Sequence, residues 1–232
     1  MDMLRAIKFL EEDLLQKNDR RNKVFFYDSR VKMFAPYGVN KARIVHFYGK
    51  PDIGKTTFLR SIMIGNEDKS FLYVSNKLDD IRKMERLSNI NVFISNIFEE
   101  TIDYLESVDK NLIDVVVLDN FNNMLSREEL LSAFTKKLDN RAILEKYIKR
   151  ISQLAVEKNF VLFIMNSINA INEKSRYGYL IDKEAVASIR LDKISLSKKC
   201  IKMQLINERN LLSDKVDKKT NFVLHFDEGR YL

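Results

Sequence analysis

The stretch Ile44-Val45-His46-Phe47-Tyr48-Gly49-Lys50-Pro51-Asp52-Ile53-Gly54-Lys55-Thr56-Thr57 sets an apolar, β-rich run directly before two glycines, a lysine and two threonines. Gly49 to Thr56 matches the pattern G-x-x-x-x-G-K-[ST], in which a strand ends in a glycine-bounded loop and a helix follows. The residue types suit a phosphate cradle. Gly49 and Gly54 let the backbone turn and bring its N–H groups close to phosphate oxygens. Lys55, at the helix start, reaches the β and γ phosphates, and the helix N-terminus adds partial positive charge. Thr56 offers a hydroxyl to Mg²⁺. Gly49, Lys50, Pro51, Asp52, Ile53, Gly54, Lys55, Thr56 and Thr57 therefore form the expected binding loop, with ATP and Mg²⁺ as its expected ligands. Two of the six glycines in the chain fall inside it, so glycine is concentrated where backbone freedom is needed.

Outward from this loop the patterning is regular. It predicts strands at 44–48, 71–74, 92–94, 114–118 and 160–165, and helices at 55–64, 78–87, 99–108, 127–136 and 141–157. Val115-Val116-Val117-Leu118 is apolar on both faces, as a central parallel strand requires. Alternating strands and helices argue for an α/β fold, a doubly wound and mostly parallel sheet. After residue 181 the character changes. Residues 187–196, 201–206 and 222–226 are β-like with no helix between them, and read as an antiparallel extension of the same sheet. At the other end, Leu4, Ile7, Leu10 and Leu14 are spaced as on an amphipathic helix. A polar connector at 17–23 and a short β run at 24–27 follow it. The expected division is residues 1–38 as N-terminal helix and connecting segment, and 39–232 as the core.

A phosphate loop needs an acidic partner for its metal. Asp119 directly follows Leu118, at the C-terminal end of the central strand, where open α/β sheets bind ligands. It can hold a water on Mg²⁺ while Thr56 touches the ion. Lys55 and Asp119 are the expected catalytic residues, and Thr56 and Asp119 the expected metal residues.

Residues 47–57 and 114–121 resemble the Walker A and Walker B segments of the RecA/RadA recombinase ATPases. Arg141-Ala142-Ile143-Leu144, Leu154-Ala155 and the run Asn159 to Phe163 are similar to that family's next helix and strand. Asn166 falls where the family carries an Asn-Gln switch. The run Ser188 to Lys193 and residues 222–229 resemble its closing strands. The resemblance spans residues 39–229 and implies a P-loop, RecA-like ATPase core, similar to archaeal RadA paralogues of the RadB kind. It also exposes departures. The strand after the P-loop helix should end in a Glu that activates water, but the sequence reads Tyr73-Val74-Ser75-Asn76-Lys77. Lys77 or Asn76 takes the expected place, and neither is a general base at neutral pH. Asp79 and Asp80 follow closely. The Gln of the switch is Ser167. These changes leave nucleotide binding intact and predict slow hydrolysis. No Phe is followed three positions later by Ala, so the family's F-x-x-A polymerisation contact is absent. An oligomer would need another contact.

Composition bounds the function. The chain has 232 residues, 45% hydrophobic and 31% charged, enough apolar material for a core and inconsistent with a disordered chain. The single cysteine, Cys200, excludes an internal disulfide and a Cys-rich zinc site. A cytoplasmic location is expected. No stretch is long and apolar enough for a membrane span. The net charge is +7, which favours an anionic partner.

In the family, two loops touch DNA. The first would fall around 134–141, with Lys136 and Lys137, and the second between 166 and 185, with Lys174, Arg176, Tyr177 and Tyr179. Cations neutralise phosphates and aromatic rings stack on bases, which suits single-stranded DNA. Residues 188–220 add nine Lys/Arg against four Asp/Glu, and Arg190 or Lys193 could reach a phosphate if subunits stack. His46 and His225, the only histidines, sit in strand patterns and read as packed residues rather than metal ligands. The resulting expectation is an ATP-binding, DNA-binding accessory ATPase in homologous recombination or repair, with a main recombinase or other repair protein as partner. The alternatives are a KaiC-like ATP-dependent scaffold without a DNA role, and a viral or plasmid DNA motor.

Overall fold

Period-two apolar runs build a nine-stranded sheet, and the helical stripes between them cover both of its faces. The computed structural model describes residues 23–24, 39–125, 127, 140–168, 177–195, 200–208, 221–227 and 230–231. Of Lys23, Val24, Asn40, Lys83, Asn140 and every described residue from 193 onward, only the backbone is described. The expected helix over the first 18 residues and most of the one at 127–136 lie outside the described residues.

The strands are β1 (Lys23–Val24), β2 (Val39–Asn40), β3 (Ile44–Gly49), β4 (Phe71–Ser75), β5 (Ile90–Ile94), β6 (Val115–Asp119) and β7 (Val161–Ser167). They continue with β8 (Ala187–Ser195), β9 (Cys200–Glu208), β10 (Asn221–Asp227) and β11 (Arg230–Tyr231). The helices are α1 (Lys55–Ile64), α2 (Leu78–Met84), α3 (Phe98–Ser107), α4 (Asn140–Lys158) and α5 (Gly178–Glu184). β1 and β2 form a separate ribbon, and the main sheet runs β11-β10-β9-β8-β3-β7-β6-β4-β5. The pairs from β8 across to β5 are all parallel. From β8 outward to β11 they are antiparallel.

One expectation needs correcting. The strand after residue 187 belongs to the parallel set, because α5 stands between β7 and β8 and supplies the crossover that parallel pairing needs. The antiparallel extension begins only at β9. The helix escapes a sequence reading because it is short and shares its stretch with tyrosines and charges that read as a loop.

Alternation along the strands sorts the core into two layers. Val45, Phe47, Phe71, Tyr73, Val115, Val117, Phe163 and Met165 face α1 and α2, against Phe58, Leu59, Met63, Ile81 and Met84. Leu72, Val74, Val116, Leu118, Leu162 and Ile164 face α3, α4 and α5. α3 shows why its sequence is helical. Phe98, Thr101, Ile102 and Leu105 repeat at three- and four-residue spacing and are buried, while Glu99 and Glu100 sit in the first turn, where the helix dipole favours them. The register matters for function, because it aligns the C-terminal tips of four neighbouring strands. Gly49 is opposite Ser167, Asp119 opposite Met165, and Val74 opposite Leu118.

Candidate nucleotide-binding site

The loop between β3 and α1 has the shape its sequence predicts. A Cβ on Gly49 would lie 2.3 Å from the Leu191 carbonyl oxygen and 2.5 Å from Ile53 Cδ1, so only glycine fits beside β8. Gly54 has φ 99°, a left-handed conformation that side chains disfavour. It is also the N-cap of α1, which has no side-chain cap and no acid in its first turn. The first N–H groups of that helix are thus left for an anion.

Lys55 is buried, and its Nζ donates to the Gly49 carbonyl at 3.1 Å and to the Lys50 carbonyl at 2.7 Å. Burial pushes its ammonium down to about 8, the Lys77 charge adds to that, and Asp119 and Asp52 oppose it. Asp119 lies at the tip of β6, 4% exposed, on the same sheet face as Tyr73. Its Oδ2 accepts from the Tyr73 hydroxyl at 2.8 Å and from Thr56 Oγ1 at 3.0 Å. Burial raises the Asp119 carboxyl above its ordinary value, and these two hydroxyls pull it back. The Tyr73 phenol is raised too, first by burial and then by the carboxylate beside it, so it remains a donor.

These groups line a cavity of about 460 Å³ that also touches Pro51, Asp52, Thr57, Arg60, Lys77, Asp80, Met84, Asn120 and Ser167. Lys55, Thr56 and Asp119, far apart in sequence, are thereby brought together. Of the expected loop residues, Gly49, Lys50 and Ile53 do not line the cavity: Gly49 and Ile53 are buried beneath it, and Lys50 is exposed. Alternation along β4 decides between Asn76 and Lys77. Lys77, in phase with Tyr73 and Ser75, enters the cavity, whereas Asn76 lines a neighbouring recess with Ser95 and Asn96. Asp80 reaches the cavity and Asp79 does not. The same parity splits the expected switch. Ser167 faces the cavity, held by Asn120 Nδ2 at 2.8 Å, while Asn166 is fully buried on the opposite face. Sequence reasoning overlooked Tyr73, Arg60, Met84 and Asn120. Arg60 was within reach, four residues after Thr56 on one helical face. Tyr73 required the strand register.

The donor set fits Mg²⁺. Among the described residues no group of three or more His, Cys, Asp or Glu forms a protein-only metal cage. Mg²⁺ beside a polyphosphate needs none, since it keeps its waters and takes one or two protein oxygens. Thr56 and Asp119 supply those oxygens, and the ion would neutralise charge between the outer phosphates.

Elsewhere, His46 is buried on the α5 face of the sheet. Its Nδ1 donates to Asp182 Oδ1 at 2.9 Å, and the Ser188 hydroxyl donates to the same oxygen. Tyr48 stacks on His46 at 4.9 Å, and burial, then Asp182, pushes its phenol up to about 12. Tyr179 lies on α5, 48% exposed, with the Arg141 guanidinium 5.2 Å from its ring centre. Tyr177 is half-buried at the N-cap of α5. Lys136, Lys137, Lys174 and Arg176 lie outside the described residues, and so does much of the basic stretch near the C-terminus. Arg190 Nε is 2.9 Å from Asp192 Oδ2.

No family model matches the chain, and no curated protein matches it in sequence. Solved structures do match in fold. The ATPase domain of a helicase superposes with a TM-score of 0.68 at 12% identity, over 100% of this chain and 98% of that one. The crystal structure of the RadB recombinase superposes with a TM-score of 0.66 at 17% identity, over 90% of this chain and 98% of that one. The chain therefore has the RecA-like α/β fold of P-loop ATPases, with its phosphate loop and acidic strand tip in one cavity.

Proposed function

We propose that the chain is an ATP-binding core similar to RadA paralogues, a DNA-binding accessory ATPase of homologous recombination and DNA repair with slow turnover. One observation carries it: the Lys55 ammonium, the uncapped start of α1 and the Thr56–Asp119 pair converge on one cavity. In this reading the loop from Gly49 to Thr57 holds ATP, Thr56 and Asp119 hold Mg²⁺, and Lys55 and Asp119 serve phosphoryl transfer. Lys77 and Ser167 at the neighbouring tips support slow hydrolysis, because neither orients or deprotonates water as a carboxylate and an amide would.

The likeness to a RadB recombinase supports a DNA role. So does the exposed Arg141–Tyr179 pair, which joins the ends of the two stretches that resemble DNA-contacting loops. Lys136, Lys137, Lys174, Arg176, Tyr177 and Tyr179 are assigned to single-stranded DNA on the resemblance. The partner in this reading is a main recombinase or another repair protein, and the place of work the cytoplasm. No helix among the described residues is long and apolar enough to cross a membrane. Residues 39–232 form the core of this reading, and 1–38 an appended segment.

Calorimetry with a non-hydrolysable ATP analogue and Mg²⁺ tests the site, and heat of binding is expected. Fluorescence anisotropy with labelled single-stranded DNA, titrated with salt, tests the DNA role. A steep loss of affinity with salt is expected. Nucleotide binding without DNA binding would favour a scaffold, and brisk DNA-stimulated hydrolysis would favour a motor.

A further inference from the structure

Three cations line the cavity, and their surroundings differ. The Lys55 ammonium is taken up by two loop carbonyls. Arg60 presents a buried Nε that has no hydrogen-bond partner among the described residues. Lys77 lies at the N-cap of α2 with its side chain exposed, and among the described residues nothing pairs with its ammonium. A lysine with no protein partner, at the mouth of a cavity that already holds a phosphate loop, is placed for an anion brought from outside.

The strand register says which part of the anion. β4 pairs with β6 through Val74 and Leu118, so Lys77, three residues past Val74, stands beside the tip that carries Asp119. Asp119 and Thr56 mark where the metal bridges the outer phosphates. The Lys77 charge is felt at both Lys55 and Asp119, which places it on the same end of the cavity.

We infer that Lys77 contacts the terminal phosphate of a bound nucleoside triphosphate and makes this site prefer triphosphate over diphosphate. The inference rests on the nucleotide-site reading above. Where an acid would activate water, a cation holds the charge that hydrolysis would release. The strand tip acts as a latch for the triphosphate. Arg60, farther along α1, supports the same anion without distinguishing its length.

The test compares dissociation constants of the full chain for a Mg²⁺–ATP analogue and Mg²⁺–ADP by calorimetry. Lys77→Ala is expected to weaken the triphosphate analogue about tenfold and the diphosphate less than about twofold, as loss of one charge-assisted contact implies. Lys77→Arg should keep the preference. Because the side chain is exposed, both variants should melt at the wild-type temperature. Equal weakening of both nucleotides by Lys77→Ala, or none, overturns the inference about Lys77 and leaves the nucleotide site standing. A wild-type chain that binds neither nucleotide overturns the nucleotide site itself, and Lys77 with it.

Discussion

Four neighbouring strand tips, those of β3, β7, β6 and β4, open on one cavity, yet they divide into two kinds. The tips of β3 and β6 carry what a polyphosphate and its metal need: free N–H groups, the Lys55 ammonium, the Thr56 hydroxyl and the Asp119 carboxylate. The tips of β4 and β7 carry Lys77 and Ser167, where water attack calls for an acid and an amide. The first kind is built into the backbone and the core. Gly49 has no room for a Cβ, Gly54 is left-handed, and Lys55 and Asp119 are buried. In the second kind, Lys77 is exposed and Ser167 partly so, and their side chains can change without disturbing a packed neighbour. Binding and turnover are therefore separable in this fold, and the chain has kept one while altering the other.

The largest effect should come from breaking the binding half. Lys55→Ala removes the only described cation buried within the phosphate loop and is expected to weaken the Mg²⁺–ATP analogue by about 100-fold, roughly the worth of two charge-assisted hydrogen bonds. Isothermal titration would read it. An unchanged affinity would remove the phosphate cradle from this chain. Next comes an attempt to rebuild the hydrolytic half. The double variant Lys77→Glu/Ser167→Gln restores an acid and an amide at the two exposed tips. Its kcat at saturating ATP should exceed that of the wild type by about tenfold or more, within the range of one positioned proton-transfer group. A double variant as slow as the wild type would mean that the block lies elsewhere, with Asp80 the nearest remaining acid in the cavity.

The two halves were not equally legible in the sequence. A glycine-bounded loop before a helix has a mechanism at every position, so Gly49 to Thr57 could be read directly. Asp119 followed from an apolar run long enough to mark a central strand. Lys77 stood out only against a family resemblance, and whether it or Asn76 entered the cavity depended on strand parity fixed by pairing with β6. Tyr73 was invisible because its bond to Asp119 crosses between strands 46 residues apart in sequence. The fold's centre was readable from apolar runs. Its edge was not, because a seven-residue helix, α5, leaves too weak a period to separate a parallel crossover from a loop.

A smaller effect separates stability from function at Asp119. Burial raises its carboxyl above the unfolded value, taken as 3.8, so its charge costs stability once the pH passes that value, and fully at neutral pH. Asp119→Asn removes the charge and keeps an oxygen for the Tyr73 and Thr56 hydroxyls. Without nucleotide, this variant should melt about 2–4 °C above the wild type, as roughly 1 kcal/mol would give in a chain of this size. The further rise that Mg²⁺ and an ATP analogue give the wild type should shrink. A variant that melts lower than the wild type would show that the two hydroxyls need the charge.

The smallest effect, and the one that reads Lys55 and Lys77 together, is a proton. The Lys55 ammonium is held at about 8, below its unfolded value of 10.5, by burial first and by the Lys77 charge in addition. Because the folded value is the lower one, the cost to stability is full below about pH 8 and lifts as the pH rises toward the unfolded value. A bound polyphosphate favours the charged form and raises the value again. Binding at about pH 8 should therefore take up roughly half a proton, and at about pH 6.5 almost none from this lysine. Calorimetry in two buffers of different ionisation enthalpy measures the uptake directly. Lys77→Ala, which removes one of the two depressing influences, should shift the uptake toward higher pH. Uptake that is absent at pH 8 would mean that Lys55 is already fully charged before the nucleotide arrives, and that burial at the base of the loop costs its charge nothing.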